Sequence, residues 1–262
     1  MQMIATTDTQ QPLLEARQVW KRFGSIEALR GANFAIGRGE VVALMGDNGA
    51  GKSTLVKTLC GLYAPSEGEV RFDGRAVQLS SPKDAQALGM ETVYQDLALA
   101  PDLDAAANMF LGREVLRGGL AGRLGILDKP QMRRRTVEAL TTMKVALKSI
   151  DAPIATLSGG QRQSIAVVRA VTWADKLVVM DEPTAALGVA QSAAVLDLIR
   201  RVKESGRSVI LISHNVPDVM AVADRVEVLR HGRRTARFDR ADMSMENIVA
   251  AITGALVNEP QA

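Results

Sequence analysis

A glycine-rich loop, GDNGAGKST at Gly46–Thr54, is the stretch of this sequence whose residue types and spacing most directly suggest chemistry. The pattern Gly-x-x-x-x-Gly-Lys-Ser, placed between an apolar strand candidate and a helix candidate, lets backbone amides converge on phosphate oxygens. Lys52 would reach the outer phosphates of a nucleoside triphosphate, Ser53 would offer its hydroxyl to Mg²⁺, and the following helix adds the positive end of its dipole. An accidental glycine turn accounts poorly for the whole pattern. The predicted nucleotide-binding residues are Gly46, Asp47, Asn48, Gly49, Ala50, Gly51, Lys52, Ser53 and Thr54, with Asp47 and Asn48 only shaping the loop.

A pair of adjacent carboxylates, Asp181 and Glu182, ends the apolar run KLVVMDE. Ligands collect at the carboxyl ends of strands in open α/β sheets. We therefore expect Asp181 to join the Mg²⁺ shell and Glu182 to polarise a water toward the γ-phosphate. Without a cation the two carboxylates and a triphosphate would repel one another, so this prediction requires the metal. Taken alone, the pair could be a solvated acidic turn before Pro183.

A third motif, LSGGQRQ at residues 157–163, supports two interpretations. Ser158 and Gln161 have the spacing of a capping box at a helix start. The same geometry lets Ser158 and the amides of Gly159 and Gly160 hold an anion at the helix N-terminus. Physical reasoning from these residues alone supports both interpretations equally.

The order of four motifs, GDNGAGKS, LSGGQRQ, VVMDEP and the ISH that ends in Ser213–His214, resembles the nucleotide-binding subunit of an ABC transporter. The resemblance covers roughly residues 13–254. LSGGQ followed by a strand ending in Asp-Glu-Pro is specific to the ABC ATPase superfamily, whereas switch GTPases and small-molecule kinases carry only the glycine loop. The resemblance implies an enzyme that hydrolyses ATP with Mg²⁺.

Three further residues take roles only through this resemblance. Phe23 resembles the aromatic residue that stacks on adenine, although it could instead be a core aromatic at a strand end. Gln95 resembles the glutamine that touches Mg²⁺ and starts the helical subdomain, and His214 resembles the switch histidine that contacts the γ-phosphate. The predicted catalytic residues are thus Glu182, His214 and Gln95, and the predicted metal ligands are Ser53, Gln95 and Asp181. His231, in a predicted hairpin turn, is expected to be a surface residue.

The resemblance also implies that two subunits pair head to tail. The predicted nucleotide contacts Ser158, Gly159, Gly160 and Gln161 of one chain would close over the ATP held by the other. One copy of each motif then implies a homodimer. Two positions depart from the family pattern: Gly188 stands where many members have Asp, which leaves the contact of that carboxylate in doubt, and Ser164 stands where many have a basic residue.

Alternating strand and helix patterns predict the elements that position these motifs. The fold class is α/β, with a P-loop NTPase core on a mainly parallel sheet, an N-terminal antiparallel β subdomain and an inserted helical subdomain. That insertion, about residues 96–155, should contain helices over DAAANMFLGREVL and PQMRRRTVEALTTMKVAL, joined by a flexible GGLAGRLG. The domain spans residues 13–254, and residues 1–12 and 255–262 are expected to be flexible.

The composition narrows the class of protein. The 262 residues are 47% apolar and 3% aromatic, which suits a Val/Leu/Ile/Ala core around a parallel sheet. The net charge of +3 gives no strong case for a nucleic-acid partner. The single cysteine, Cys60, excludes an intrachain disulfide and is expected to be buried. Neither a signal peptide nor an apolar run of about 18 residues is recognisable, so we expect a cytoplasmic protein.

The FLGRE element at Phe110–Glu114, with MDEPTAALG, is most similar to single-domain ATPases of monosaccharide importers of the ribose, xylose and fructose group. This implies transmembrane permease subunits as partners, contacted near Asn108–Arg113, and a periplasmic solute-binding protein acting indirectly. The chain would then lie peripherally on the cytoplasmic face of the inner cell membrane. The alternatives are an ATPase of a non-sugar transporter and a soluble ABC-type ATPase acting on DNA or ribosomes.

Overall fold

The computed structural model describes residues 11–147 and 149–258, so most of the predicted flexible ends lies outside the described residues. The strands fall where the alternating and apolar runs predict them. They are β1 (Leu14–Phe23), β2 (Ile26–Ile36), β3 (Val41–Met45), β4 (Glu67–Phe72), β5 (Arg75–Val77), β6 (Met90–Val93), β7 (Leu177–Asp181), β8 (Ser208–Ile212), β9 (Arg225–Arg230) and β10 (Arg233–Asp239).

The helices cover the strands and connect them. They are α1 (Lys52–Leu59), α2 (Pro82–Ala87), α3 (Ala105–Met109), α4 (Gly119–Arg123), α5 (Lys129–Thr142), α6 (Gly159–Trp173), α7 (Val189–Glu204), α8 (Val216–Val222) and α9 (Met245–Thr253), with a short 3₁₀ turn at Ile154–Thr156. Among the described residues, no helix is both long enough and apolar enough to cross a bilayer.

An antiparallel sheet in the order β2-β1-β4-β5 forms the N-terminal part. The turn at Asp73–Gly74 joins β4 to β5, and both residues have positive φ, 48° and 71°. Asp-Gly suits this turn because both central residues of such a tight hairpin take left-handed conformations. The predicted antiparallel subdomain is therefore confirmed.

The second sheet has the order β10-β9-β3-β8-β7-β6 and is parallel except for β10. Its central strands β3 and β8 are buried along their whole length, as expected for strands covered on both faces. The glycine loop follows β3, Gln95 follows β6, Glu182 follows β7 and His214 follows β8. Because these strands are parallel, all four motifs emerge at one edge of the sheet.

Two apolar layers lie on the faces of this sheet. One joins it to α6, α7, α8 and α9, and the other packs it against the antiparallel sheet and α1. Cys60 belongs to the second layer and is 3% exposed, so the predicted burial is confirmed.

The helical region differs from its prediction in three places. The helix predicted over PQMRRRTVEALTTMKVAL ends at Thr142, two residues before Lys144, which has a left-handed φ of 52°. The helix predicted over DAAANMFLGREVL ends at Met109, because Phe110 turns into the core and Gly112 takes a left-handed φ of 77°. The predicted flexible link contains α4, and Leu116 pairs with Leu127 across it. The sequence pattern missed this small hairpin because its leucines have helical spacing yet point largely to solvent.

Candidate nucleotide-binding and catalytic site

The glycine loop is held by close backbone packing on two sides. Gly46 has φ 147°, and a Cβ atom there would lie 2.2 Å from the carbonyl oxygen of Leu229. Gly51 has φ 102°, and its Cβ would lie 2.8 Å from the carbonyl oxygen of Ala28. Both positions therefore require glycine for conformation and for space. The loop therefore packs closely against β2 and β9 at the same time.

The β9–β10 turn reinforces this anchoring through backbone hydrogen bonds. The Gly232 amide donates to the Ala50 carbonyl at 2.9 Å, and the Arg30 amide donates to the Gly232 carbonyl at 2.8 Å. A residue far along the chain thus braces the middle of the predicted phosphate loop. Nothing in the local sequence of the loop could reveal this contact.

Lys52 lies across the concave side of the loop. Its ammonium group donates to the carbonyl oxygens of Gly46 at 2.8 Å and Asp47 at 3.0 Å. Burial lowers the pKa of Lys52, and the carboxylates of Glu182, Asp47 and Asp181 partly oppose that shift. The predicted phosphate-binding lysine and the predicted acidic pair therefore share one electrostatic environment.

A cleft of about 490 Å³ opens beside the loop. It contains residues 48–54 of the predicted loop and several residues that the motif analysis did not assign. His231, expected to be a surface residue, is exposed but lines this cleft. Only the folded sheet order brings these segments together, since β2 and the β9–β10 turn are remote in sequence. The unassigned lining residues are Ile26, Glu27, Ala28, Arg30, His231 and Gly232.

Phe23 lies at the end of β1, opposite Ile26 in the β1–β2 pair. The residue is 41% exposed, and its ring meets the ring of Tyr63 edge to face, with centroids 5.1 Å apart. Lys21 places its ammonium 5.1 Å from the Phe23 centroid. An exposed ring next to a cleft residue is compatible with base stacking, which stays a prediction.

Asp181 closes β7 in a half-buried position. Burial raises its pKa, and the neighbouring Glu182 adds to the shift, while Lys57 and Lys52 oppose it. A carboxylate that is costly to ionise beside a second carboxylate is an environment that a divalent cation would relieve. Carboxylate and hydroxyl oxygens are also the ligands that Mg²⁺ prefers. The residues present thus fit the predicted metal.

Glu182 and His214 form a direct contact. His214 Nδ1 lies 2.8 Å from Glu182 Oε1, with the Glu182 side chain 15% exposed and the His214 side chain 73% exposed. Glu182 has a left-handed φ of 51°, rare for a non-glycine residue, and its amide donates to the Ile212 carbonyl at 2.9 Å. This backbone twist separates the direction of Glu182 from that of Asp181. Glu182 therefore contacts His214, while both carboxylates influence the pKa of Lys52.

Gln95 is exposed in a turn just beyond β6. The turn closes when the Leu97 amide donates to the Tyr94 carbonyl at 2.9 Å. Leu97 and Ala98 both have positive φ, 61° and 44°. The structure therefore places Gln95 on a sharply kinked loop at the motif-bearing edge of the sheet.

The LSGGQ motif, called here the signature, begins α6 and forms the expected capping box. The Gln161 amide donates to Ser158 Oγ at 3.3 Å, and the Ser158 amide donates to Gln161 Oε1 at 3.0 Å. A Cβ at Gly160 would lie 3.0 Å from the Cβ of Gln191 on α7, so glycine allows the two helices to approach. Among the described residues, those that line the signature's cavity and those that line the glycine-loop cleft do not overlap.

Gly188 is the N-cap residue of α7, with extended backbone angles of φ −72° and ψ 165°. A Cβ there would meet nothing within 4 Å. The absence of the usual aspartate is therefore not imposed by local packing.

Residues 29–185 of the sequence match the protein-family model described as ABC transporter. The chain belongs to the ABC transporter family. The predicted family and α/β fold are confirmed.

Two curated relatives match nearly from end to end. The chain is 46% identical over 248 residues to the fructose import ATP-binding protein FrcA of Rhizobium meliloti, covering 94% of this chain and 95% of that protein. It is 44% identical over 241 residues to the xylose/arabinose import ATP-binding protein XylG of Sulfolobus acidocaldarius, covering 92% and 94%. Among solved structures, a dimeric ATP-binding cassette in a post-hydrolysis state with ADP and Pi is 26% identical, with a TM-score of 0.71 over 87% of this chain and 98% of that chain.

Proposed function

We propose that this chain is the ATP-hydrolysing subunit of a monosaccharide importer and works as a homodimer beneath transmembrane permease subunits. The Glu182–His214 contact beside the glycine loop is the observation that carries the proposal. The full-length similarity to fructose and xylose/arabinose import proteins supports a small sugar as the transported solute. A peripheral position on the cytoplasmic face of the membrane follows from that role.

In the proposed reaction, the loop amides and Lys52 bind the phosphates of ATP, and Phe23 stacks on the adenine. Ser53, Gln95 and Asp181 would hold Mg²⁺, which would supply charge neutralisation at the phosphates. Glu182 accepts a proton from the attacking water and directs it at the γ-phosphate. His214 holds Glu182 in position through Nδ1 and turns its other ring nitrogen toward the γ-phosphate.

The signature completes the site from a second copy. Ser158 and the amides of Gly159 and Gly160, with Gln161 bracing the helix start, would contact the ATP bound by the partner chain. The separate cavities of the glycine loop and the signature support this arrangement. The dimeric relative of similar fold supports it as well.

The Glu182→Gln variant tests the proposal, with Glu204→Gln at an exposed position of α7 as its control. We expect the variant to dimerise with Mg-free ATP but not with ADP, as measured by light scattering. With Mg-ATP and the permease subunits, its turnover should fall by about 10²–10⁴-fold, the usual cost of losing a general base. The control should keep the wild-type turnover.

Retained turnover in Glu182→Gln would contradict the assignment of this base. A monomer with both nucleotides, even with the permease subunits present, would contradict the composite site. Uptake of labelled fructose, xylose and ribose by vesicles containing the reconstituted complex tests the sugar assignment separately. Uptake of none of these sugars by a complex that hydrolyses ATP would point to another solute.

A further inference from the structure

Arg169 contacts the Gln95 loop and belongs to none of the sequence motifs described above. It lies on α6, the helix that begins at the signature. Its guanidinium donates through Nη1 to the carbonyl oxygen of Ala98 at 2.7 Å and through Nη2 to that of Leu97 at 2.9 Å. One side chain therefore binds two consecutive carbonyls of the loop that carries Gln95.

These two carbonyls belong to the kinked part of the loop. Leu97 and Ala98 are consecutive non-glycine residues with positive φ, a conformation that each residue adopts only at a cost. Such a conformation persists when surrounding contacts hold it. Arg169 supplies that hold, because its two nitrogens match the spacing of the two oxygens.

Arg169 is half-buried near two other charged side chains, Glu91 and Arg113. Burial lowers the pKa of this guanidinium, and Glu91 on β6 partly opposes the shift, while Arg113 adds to it. Arg113 forms an ion pair with Glu91 and lies 4.9 Å from the ring centroid of Trp173. The cluster ties α6, β6 and the segment after α3 together just below the Gln95 loop.

We propose that Arg169 is a positioning residue that fixes the Gln95 loop to the signature helix, so that displacement of Gln95 by bound nucleotide moves Ser158–Gly160 with it. The inference rests on the proposed function of these two motifs and adds the connection between them. Since Arg169 and the signature lie on one continuous helix, no hinge separates the loop contact from the helix start. Nucleotide state in one site is thereby transmitted to the surface offered to the partner chain.

An arginine is needed here rather than any cation. The planar guanidinium presents two parallel N–H groups to two acceptors, whereas a lysine ammonium is a single point on a flexible stem. Arg169→Lys should consequently keep the charge and lose the paired contact. Arg169→Gln removes both, and Arg134→Gln, on the exposed face of α5, serves as the matched control.

The experiment measures the loop and the dimer separately. A fluorophore attached at Asp96→Cys reports on the Gln95 loop, and the native Cys60 does not compete because it is buried. In the full chain carrying Glu182→Gln, we measure the probe signal, the nucleotide affinity and the ATP-induced dimerisation constant. A melting curve for each variant shows that it is folded.

For Arg169→Gln we expect ATP affinity to stay within about twofold of the parent, since the phosphate loop is untouched. The dimerisation constant should weaken by at least about fivefold, the lower range of coupling between sites. The fluorescence of the probe should still differ between ATP and ADP, which shows that the loop responds to nucleotide. That response should no longer strengthen dimerisation. Arg169→Lys should weaken dimerisation less, and Arg134→Gln should match the parent.

Unchanged dimerisation in both Arg169 variants would overturn the inference while leaving the proposed function intact. A parallel loss of ATP affinity and melting temperature would also overturn it, because it would indicate a purely structural role. Should Arg169→Gln fail to fold, the lysine variant alone decides. A parent chain that never dimerises with ATP, with or without permease subunits, would instead refute the proposed function.

Discussion

The chemistry of single residues here is set by direction as much as by type. Asp181 and Glu182 are neighbours with identical functional groups, and both influence the pKa of Lys52, yet Glu182 contacts His214 directly. The left-handed backbone of Glu182 produces this difference. The histidine contact of Glu182 supports the proposed division of the pair into a metal ligand and a base.

Replacing Asp181 should stabilise the free chain in a pH-dependent way. Burial raises the pKa of Asp181 in the folded state, so the folded chain binds a proton more tightly than the unfolded chain. The contribution of Asp181 to stability is therefore full below its unfolded pKa of about 3.9 and is lost as the pH rises through its folded pKa. Asp181→Asn should raise the melting temperature at neutral pH, by about 2–4 °C for each kcal/mol of strain relieved, and the gain should shrink as the pH falls.

Calorimetry of the nucleotide-free chain between acid and neutral pH measures this gain. Asp197→Asn, at an exposed position of α7, is the control and should show no comparable gain at neutral pH. A melting temperature that Asp181→Asn lowers at neutral pH would mean that Lys52 and Lys57 outweigh burial.

Several site residues could be predicted from sequence because their meaning lies in local spacing. A glycine-rich stretch indicates the loop that contains Lys52 and Ser53. An apolar run indicates the strand that ends at Asp181 and Glu182. Cleft residues such as Arg30 and His231 could not, since only the sheet order brings their segments to the glycine loop. Arg169 escaped for the same reason, because its acceptors lie in a loop some seventy residues away.

At the scale of elements, the glycine loop shows how backbone crowding sets residue identity. Gly46, Gly49 and Gly51 all have positive φ, but their surroundings differ. Gly46 and Gly51 press against other strands, while a Cβ at Gly49 would meet nothing within 4 Å. Gly46 and Gly51 are therefore needed for packing as well as for conformation, whereas Gly49 is needed only for conformation.

Alanine at Gly46 and at Gly49 should therefore differ sharply. Gly49→Ala should cost about 1–2 kcal/mol, the price of a left-handed alanine. Gly46→Ala should cost at least about 3 kcal/mol, because its Cβ would also overlap the Leu229 carbonyl and push the loop from β9. Urea unfolding gives both values, and ATP titration should show that Gly46→Ala loses more affinity. Equal costs would show that β9 yields to the added methyl group.

Helices and strands were predicted correctly from the sequence where the hydrophobic periodicity ended at a residue typical of a helix or strand terminus. α6 begins at its capping box and β7 ends at its carboxylate, as the pattern indicates. The prediction for the segment after α3 was wrong because the helix ends at Met109, shortly before a left-handed Gly112, although Val115 and Leu116 lie further along the chain. Periodicity alone does not mark such a stop.

At the scale of the whole molecule, a buried charge network joins the two sheets. Arg225 of β9 donates to Glu40 at 2.8 Å and to the Ala35 carbonyl of β2 at 2.7 Å, and it pairs with Glu227. Burial raises the pKa of Glu227, while Arg234 and Arg225 oppose that shift. The network fixes how the antiparallel sheet, and with it the cleft wall, lies on the core sheet.

Removing Arg225 should cost far more than removing an exposed ion pair. Arg225→Ala should lower the free energy of unfolding by about 3–5 kcal/mol, because Glu227 would remain buried with less compensation. Arg133→Ala, which breaks an exposed two-bond pair with Asp151, should leave the free energy of unfolding nearly unchanged, because solvent screens exposed ion pairs. Denaturant titration of both variants provides the comparison. Similar losses would mean that Arg234 alone can neutralise Glu227.

The strand order of the core sheet also constrains how the protein can fold during its synthesis. The central strand β3 lies between β8 and β9, with Val41 opposite Val209 and Ala43 opposite Val226. Both neighbouring strands are synthesised long after β3. During synthesis the antiparallel sheet has all its strands once Val77 has left the ribosome, whereas β3 has no native neighbour in the core sheet until nearly the whole chain exists. The glycine loop that follows β3 is thus among the earliest segments made and among the last to acquire its supporting strands.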